Sequence, residues 1–312
     1  RLYESIRFEN PSPAKPVVLL KIPRSGSSWF TSELNALPSV YISKEIVQGG
    51  DVEMFSTPEI EAHLIAALRG PKGKLSHSRG FFPDARYVED YLKPTSLSWK
   101  PMTNLQVVGF SVNPEHIPGV DWARIKEAVP ELRVIALGRS NTVKATVSSY
   151  TGDILKEKCG SANLRASGGA DGDECDGTKP VKVPWGHADF LFHTKNWKMR
   201  INRFYDTVKL VEEVVGTKCV QRLYYEELQK DLLGMLDKVL HGVGARAQLT
   251  SRSGGAGQWK KRGAESLQDT LVNYEEISER LLATDGACAC LYSHLSSAIP
   301  EVFKCNIESC FG

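Results

Sequence analysis

Apolar residues fall along this chain in two alternating rhythms. Short apolar-rich runs, Val17-Val18-Leu19-Leu20 and residues 132–137, read as buried strands, and residues 105–112 read as a third strand. Between and after them, apolar residues recur at helical spacing. This predicts a helix through Leu34 and Leu37, a short one from Trp122 to Val129 stopped at Pro130, one from Asn141 to Tyr150, and a long amphipathic one from Gly186 to Val215. A strand from Lys218 to Tyr224, a helix from Glu226 to Leu240 and a last helix through Leu267, Leu271, Tyr274 and Ile277 complete the pattern. Strands alternating with helices predict an α/β fold: a central, mostly parallel sheet flanked by helices on both faces. In such sheets ligands gather at the carboxyl ends of the strands.

Two stretches break the rhythm. The segment 160–184 is rich in Gly, Asp and Ser, and the segment 244–257 in Gly, Ser and Ala; both read as surface loops rather than domain linkers. The expectation is one domain over residues 1–312, with a Gly/Asp-rich insert at 160–184 and a Cys-rich tail at 286–312, a length that supports a sizeable core. The net charge of +2 is too small to argue for a nucleic-acid or membrane surface, so any basic site must be local. No apolar run approaches the roughly 20 residues of a membrane span. The chain starts at Arg1, which reads as a trimmed or processed start, so a membrane contact is expected only through an N-terminal anchor removed from it.

Cysteine placement bears on compartment. Cys288, Cys290, Cys305 and Cys310 crowd the tail, and Cys159 and Cys175 bracket the insert. Cysteines on polar loops read as disulfide partners, which predicts a Cys159–Cys175 bridge and an oxidising lumen, Golgi or secretory, with the cytoplasm as the alternative. A zinc site is the rival for the tail, but its C-x-C and C-x₄-C spacings are not the usual C-x₂-C pairs. Cys219, in an apolar run, reads as a buried free thiol. The chain has no N-x-[ST] glycosylation site, which runs against the lumenal reading.

The chemistry starts at Lys21-Ile22-Pro23-Arg24-Ser25-Gly26-Ser27-Ser28-Trp29-Phe30, between the first strand and the first helix. A tight turn there aims backbone N–H groups at one spot with the helix dipole behind them, and serine hydroxyls and Arg24 add donors; a phosphate fits. The loop lacks the G-K-[ST] of nucleotide triphosphatases, and its cation precedes the glycine. The bland alternative is a Ser/Gly turn capping a helix. The pattern P-[RK]-S-G-[ST]-[ST]-W resembles the 5′-phosphosulfate loop of sulfotransferases, which use 3′-phosphoadenosine 5′-phosphosulfate (PAPS) and release 3′-phosphoadenosine 5′-phosphate (PAP). The resemblance implies that Arg24, Ser25, Gly26, Ser27 and Ser28 hold the 5′-phosphosulfate.

Three further stretches keep that family's order. Arg139-Ser140-Asn141 with Ser148 resembles its 3′-phosphate element, R-x-N…V-S, and implies cofactor contacts from Arg139, Asn141 and Ser148. Ser148 lies nine positions after Arg139, where the cytosolic enzymes have eight, so Ser149 is the fallback. Tyr224-Tyr225-Glu226-Glu227-Leu228 resembles the Y-E-D-L strand end, with Tyr225 and Trp29 as surfaces for adenine and the acid capping its own helix. Trp259-Lys260-Lys261-Arg262-Gly263 resembles the R-K-G element and implies that Lys261, Arg262 and Gly263 close over the 3′-phosphate; a solvated basic run is the alternative. Together these imply the P-loop-like sulfotransferase fold, with Golgi, carbohydrate-type and tyrosylprotein enzymes resembled more than cytosolic ones.

Sulfuryl transfer needs a base beside the acceptor hydroxyl. Glu45 stands 21 positions after Arg24, in a run that resembles the H-P-x-V…G-E segment of the glutamate-dependent class. His116, 23 positions before Arg139, is its rival, near where the histidine-dependent enzymes carry theirs; His77 is third. For each, an ordinary solvated side chain is the alternative. The expected activity is transfer from PAPS to an acceptor hydroxyl, on a glycan first and on protein tyrosine or a small alcohol or phenol otherwise. No metal is required. A nucleotide-kinase-like enzyme and an inactive binding protein on the same fold are the rivals.

Overall fold

The computed structural model of the protein describes residues 14–37, 39–47, 55–69, 106–159, 182–245, 267–283, 288–296 and 310. Five strands, β1 (Lys15–Lys21), β2 (Val40–Glu45), β3 (Val107–Val112), β4 (Arg133–Gly138) and β5 (Val220–Tyr224), form one sheet in the order β2-β3-β1-β4-β5, every neighbouring pair parallel. The α/β architecture with helices on both faces is therefore as expected. Alternate residues of central β1 feed opposite layers, which is why its whole run is apolar. Val18 and Leu20 pack with α2 (Thr57–Arg69), α3 (Trp122–Ala128) and α5 (His187–Val215), through residues such as Leu64, Ile125, Trp197 and Phe204. Val17 and Leu19 pack with α1 (Ser27–Ala36) and, later in the chain, α7 (Leu232–Gly242), through Phe30, Leu34, Leu236 and Val239.

A third apolar cluster lies around α4 (Thr142–Cys159), α8 (Tyr274–Leu282) and α9 (Ala289–Ser296), built from Val143, Val147, Trp185, Phe190, Ile277 and Leu291 among others. A disulfide between Cys288 and Cys310 ties the start of α9 to the chain's end. The expected Cys159–Cys175 bridge, and His77, fall outside the described residues.

Several elements differ from the sequence expectation. The 218–224 strand starts at Val220, after a 3₁₀ turn (Thr217–Cys219), so Cys219 lies outside the strand; its thiol is free but only half-buried, with Arg133 Nη1 2.7 Å from Sγ. The 226–240 helix is two helices, α6 (Tyr225–Lys230) and α7, because Asp231 leaves helical geometry and caps α7 by accepting from Gly234 N–H at 2.9 Å. The last helix starts only at Tyr274; Leu271 instead bridges to Val183, which is fully buried although it lies in the stretch expected to be surface loop. Strand β2 and helix α2 were not foreseen, and α4 runs nine residues past Tyr150.

Candidate functional site

The chain leaves β1 toward the β3–β2 edge and leaves β4 toward β5, although β1 and β4 are neighbours. Two adjacent strands whose connections diverge open a crevice at their carboxyl ends. The Pro23–Gly26 loop follows β1 and the Arg139–Asn141 turn follows β4, so both motifs face that crevice. They are tied directly: Arg139 Nη1 donates to the Arg24 carbonyl at 2.8 Å.

The loop is strained where it carries chemistry. Arg24 is the one non-glycine among the described residues with positive φ, at 63°, a conformation that costs on the order of 1–2 kcal/mol and is held here by the Arg139 bond. Gly26 has φ 72° and caps α1, and a Cβ there would lie 2.3 Å from the Tyr225 ring. Glycine is thus required twice, by backbone and by the aromatic ring laid over it. Ser27 and the exposed Ser28 begin α1, whose first turn carries no acidic residue. Ser25 is fully buried and its Oγ has no hydrogen-bond partner. An unpaired buried hydroxyl beside helix N–H groups matches the donor set that an anion needs.

Two guanidinium groups converge here. Arg24 Nε lies 3.4 Å from Ser148 Oγ, and α4 passes so close that a Cβ on Gly152 would sit 2.8 Å from the Arg24 guanidinium. Burial first, and then the like charge of Arg139, hold Arg24 below the usual guanidinium range, with Asp153 opposing. Arg139 is itself buried and lies 4.7 Å over the Tyr225 ring; Trp29 meets the same ring edge-on at 6.1 Å. Arg24, Gly26, Trp29, Arg139, Ser148 and Tyr225, spread over about 200 positions, therefore meet in one place. Ser148, rather than Ser149, is the serine at Arg24.

Glu226 is the residue whose role sequence reasoning missed. It is 1% exposed and accepts from Arg139 Nε (3.3 Å), Ser140 N–H (2.9 Å), Ser140 Oγ (3.0 Å) and Asn141 N–H (3.3 Å). The acid organises the turn after β4 as well as opening α6. Asn141 is buried, its Nδ2 donating to the His294 carbonyl at 2.8 Å and its Oδ1 accepting from Lys144 N–H at 2.8 Å, so its amide positions α4. Lys261, Arg262 and Gly263 lie outside the described residues.

The two rival bases are joined to each other. Glu45 ends β2, and His116 closes the 3₁₀ turn (Pro114–His116) that follows β3. His116 Nδ1 is 2.9 Å from Glu45 Oε1, and Lys21, at the end of β1, places Nζ 2.8 Å from Glu45 Oε2. Three strand ends thus deliver one half-buried cluster, three residues from Arg24. Burial pushes the Glu45 carboxyl up, but His116 and Lys21 outweigh it and hold it below the usual carboxylate range. His116 is raised by its hydrogen bond to Glu45, with burial opposing. The signal for Lys21 was its position at a strand end; nothing in the sequence showed that it reaches past β3.

Among the described residues no group of three or more His, Cys, Asp or Glu side chains is placed to hold a metal, and no helix is long and apolar enough to cross a membrane. No protein-family model and no curated protein matches the chain. Among solved structures it is similar to a sulfotransferase from Alicyclobacillus acidocaldarius, at 12% identity over 90% of this chain and 96% of that one with a TM-score of 0.42. It is similar also to the sulfotransferase domain of the Synechococcus olefin synthase, at 15% identity over 83% and 84% with a TM-score of 0.39. A Mycobacterium avium sulfotransferase gives 14% identity over 88% of this chain and 78% of that one, with a TM-score of 0.36.

Proposed function

We propose that the protein is a PAPS-dependent sulfotransferase. The observation that carries the reading is the meeting of two guanidinium groups, half-buried Arg24 and buried Arg139, at a glycine loop that also holds an unpaired buried hydroxyl, Ser25. Glu226 offsets the charge of Arg139, so the second like charge, on Arg24, calls for an anion beside it. Arg24, the loop N–H groups and Ser25 to Ser28 would hold the 5′-phosphosulfate; Arg139 and Ser148, with Lys261 to Gly263, would hold the 3′-phosphate. Trp29 and Tyr225 offer aromatic surface to adenine. When bound, the donor supplies a sulfuryl group on a phosphate leaving group. Arg24 offsets the charge that gathers on the departing phosphate. Glu45, held ionised by His116 and Lys21, removes the acceptor hydroxyl's proton.

The proposed acceptor is a glycan hydroxyl, reached in an oxidising lumen; the Cys288–Cys310 disulfide supports that compartment. The test is calorimetry with PAP and ADP, followed by transfer of label from PAPS to a panel of glycans, tyrosine peptides, alcohols and phenols. PAP binding at least tenfold tighter than ADP, with transfer to glycans, is the expected result. Equal affinity for the two nucleotides would refute the donor assignment, and transfer to phenols alone would refute the acceptor.

A further inference from the structure

The two nitrogens of His116 face groups whose hydrogen-bonding roles are set elsewhere. Asn113 follows β3, is 2% exposed, and caps the 3₁₀ turn: its Oδ1 accepts from Glu115 N–H at 3.2 Å. That bond turns the amide's other end, Nδ2, toward His116, 3.4 Å from Nε2. The same Nδ2 lies 3.5 Å from Glu115 Oε2. An amide N–H can only donate, so Nε2 must offer its lone pair. On the far side, Nδ1 faces two acceptors, Glu45 Oε1 at 2.9 Å and the Val47 carbonyl at 3.4 Å. The turn is braced by the Glu115 carboxylate, which pairs with Arg200 of α5 (Nε to Oε1, 2.8 Å), itself lying over Trp197.

We propose that Asn113 fixes His116 as the Nδ1–H tautomer, and that His116 is a positioning residue that orients Glu45, which alone accepts the proton. A base needs a lone pair aimed at its substrate, and neither nitrogen of His116 has one to spare. Glu45 does: Oε1 is buried against His116, but Oε2 accepts from Lys21 and keeps a second acceptor direction. The charged groups around the imidazole are Glu45 and Glu115, with Lys21 and Arg200 behind them as their partners. The role given to Glu45 rests on the sulfotransferase reading; the tautomer does not.

The first test needs no acceptor. Long-range proton–nitrogen NMR correlations of the full chain at pH 9 report which imidazole nitrogen of His116 carries the proton. The expected pattern is a protonated Nδ1 and a bare Nε2. Asn113→Asp keeps an oxygen for Glu115 N–H but gives Nε2 an acceptor, so it is expected to move the proton to Nε2 and to raise the pH at which the ring titrates. A protonated Nε2 in the unaltered protein would overturn the proposal. The second test uses turnover with PAPS and whichever acceptor the panel yields. His116→Asn retains an N–H toward Glu45 and is expected to keep at least a tenth of kcat with KM unchanged, whereas His116→Ala and Glu45→Gln each lose about 10²-fold or more. If His116→Asn is as inactive as Glu45→Gln while PAP still binds, His116 is itself the base and the proposal fails. If the unaltered protein neither binds PAP nor transfers label, the sulfotransferase reading falls and takes the role of Glu45 with it, and the NMR result alone decides the tautomer.

Discussion

Acidification should destabilise this protein in part through one buried residue, His294. It lies on α9 at 2% exposure, its Nδ1 accepting from Thr142 N–H at 3.2 Å and its carbonyl from Asn141 Nδ2, while Nε2 has no partner. Burial first, and the nearby Lys198 charge second, push its imidazole down to about 4, with Glu226 opposing. The unfolded chain therefore takes up this proton near pH 6.5 and the folded one only near 4. Between those values the unfolded state binds more protons, so stability falls as pH drops and levels off on either side. At ~1.4 kcal/mol per pKa unit the loss comes to about 3 kcal/mol across that window. His294→Asn keeps an oxygen where Nδ1 accepts and cannot titrate there. Urea unfolding of both proteins from pH 7.5 to 4 isolates the term, because the carboxylates common to both cancel in the difference. The variant is expected to be about 1 kcal/mol less stable at pH 7.5 from altered packing and to overtake the unaltered protein toward pH 4. Parallel stability curves would refute the argument. The consequence reaches the site, because of the residues that His294 holds, Asn141 belongs to the Arg139–Asn141 turn and Thr142 directly follows it.

Two further outcomes follow from the same packing. Gly26→Ala should cost about 1–2 kcal/mol from the left-handed backbone and more from the Tyr225 ring, and should weaken PAP binding; in a Tyr225→Ala background the stability loss should shrink to the backbone part, and an equal loss in both backgrounds, read by urea unfolding, would refute the clash. Arg139→Ala strands the buried Glu226 carboxylate and should cost about 3–5 kcal/mol, of which Glu226→Gln should restore part without restoring PAP affinity; thermal unfolding that is no higher in the double variant would refute the pairing.

The ordering of elements was legible in the sequence because burial on both sheet faces forces unbroken apolar runs, as in Val17 to Leu20, and amphipathic helices force a helical period, as in α5. Edge strand β2 escaped because its apolar part, Val40 to Ile42, is only three residues long before Ser43, Lys44 and Glu45, too short a run to separate strand from loop. The break at Asp231 escaped because apolar residues on both sides keep helical spacing across it, and only the cap to Gly234 reveals the stop. Within the site, residue types and local spacing marked Arg24, Gly26, Arg139 and Ser148, since a phosphate cradle needs glycine, donors and cations near a helix start, whereas Tyr225 was marked only by the family resemblance. Sequence by itself thus determined the alternation of strand and helix and the chemical character of each strand end. Which ends meet was decided only by the tertiary structure. Strand order sets β1 between β3 and β4, and that alone brings Lys21 past β3 to Glu45, Glu226 under Arg139, and Asn113, His116 and Glu45 into one row of close polar contacts. These contacts join residues far apart in the chain, and no local pattern encodes a partner that distant.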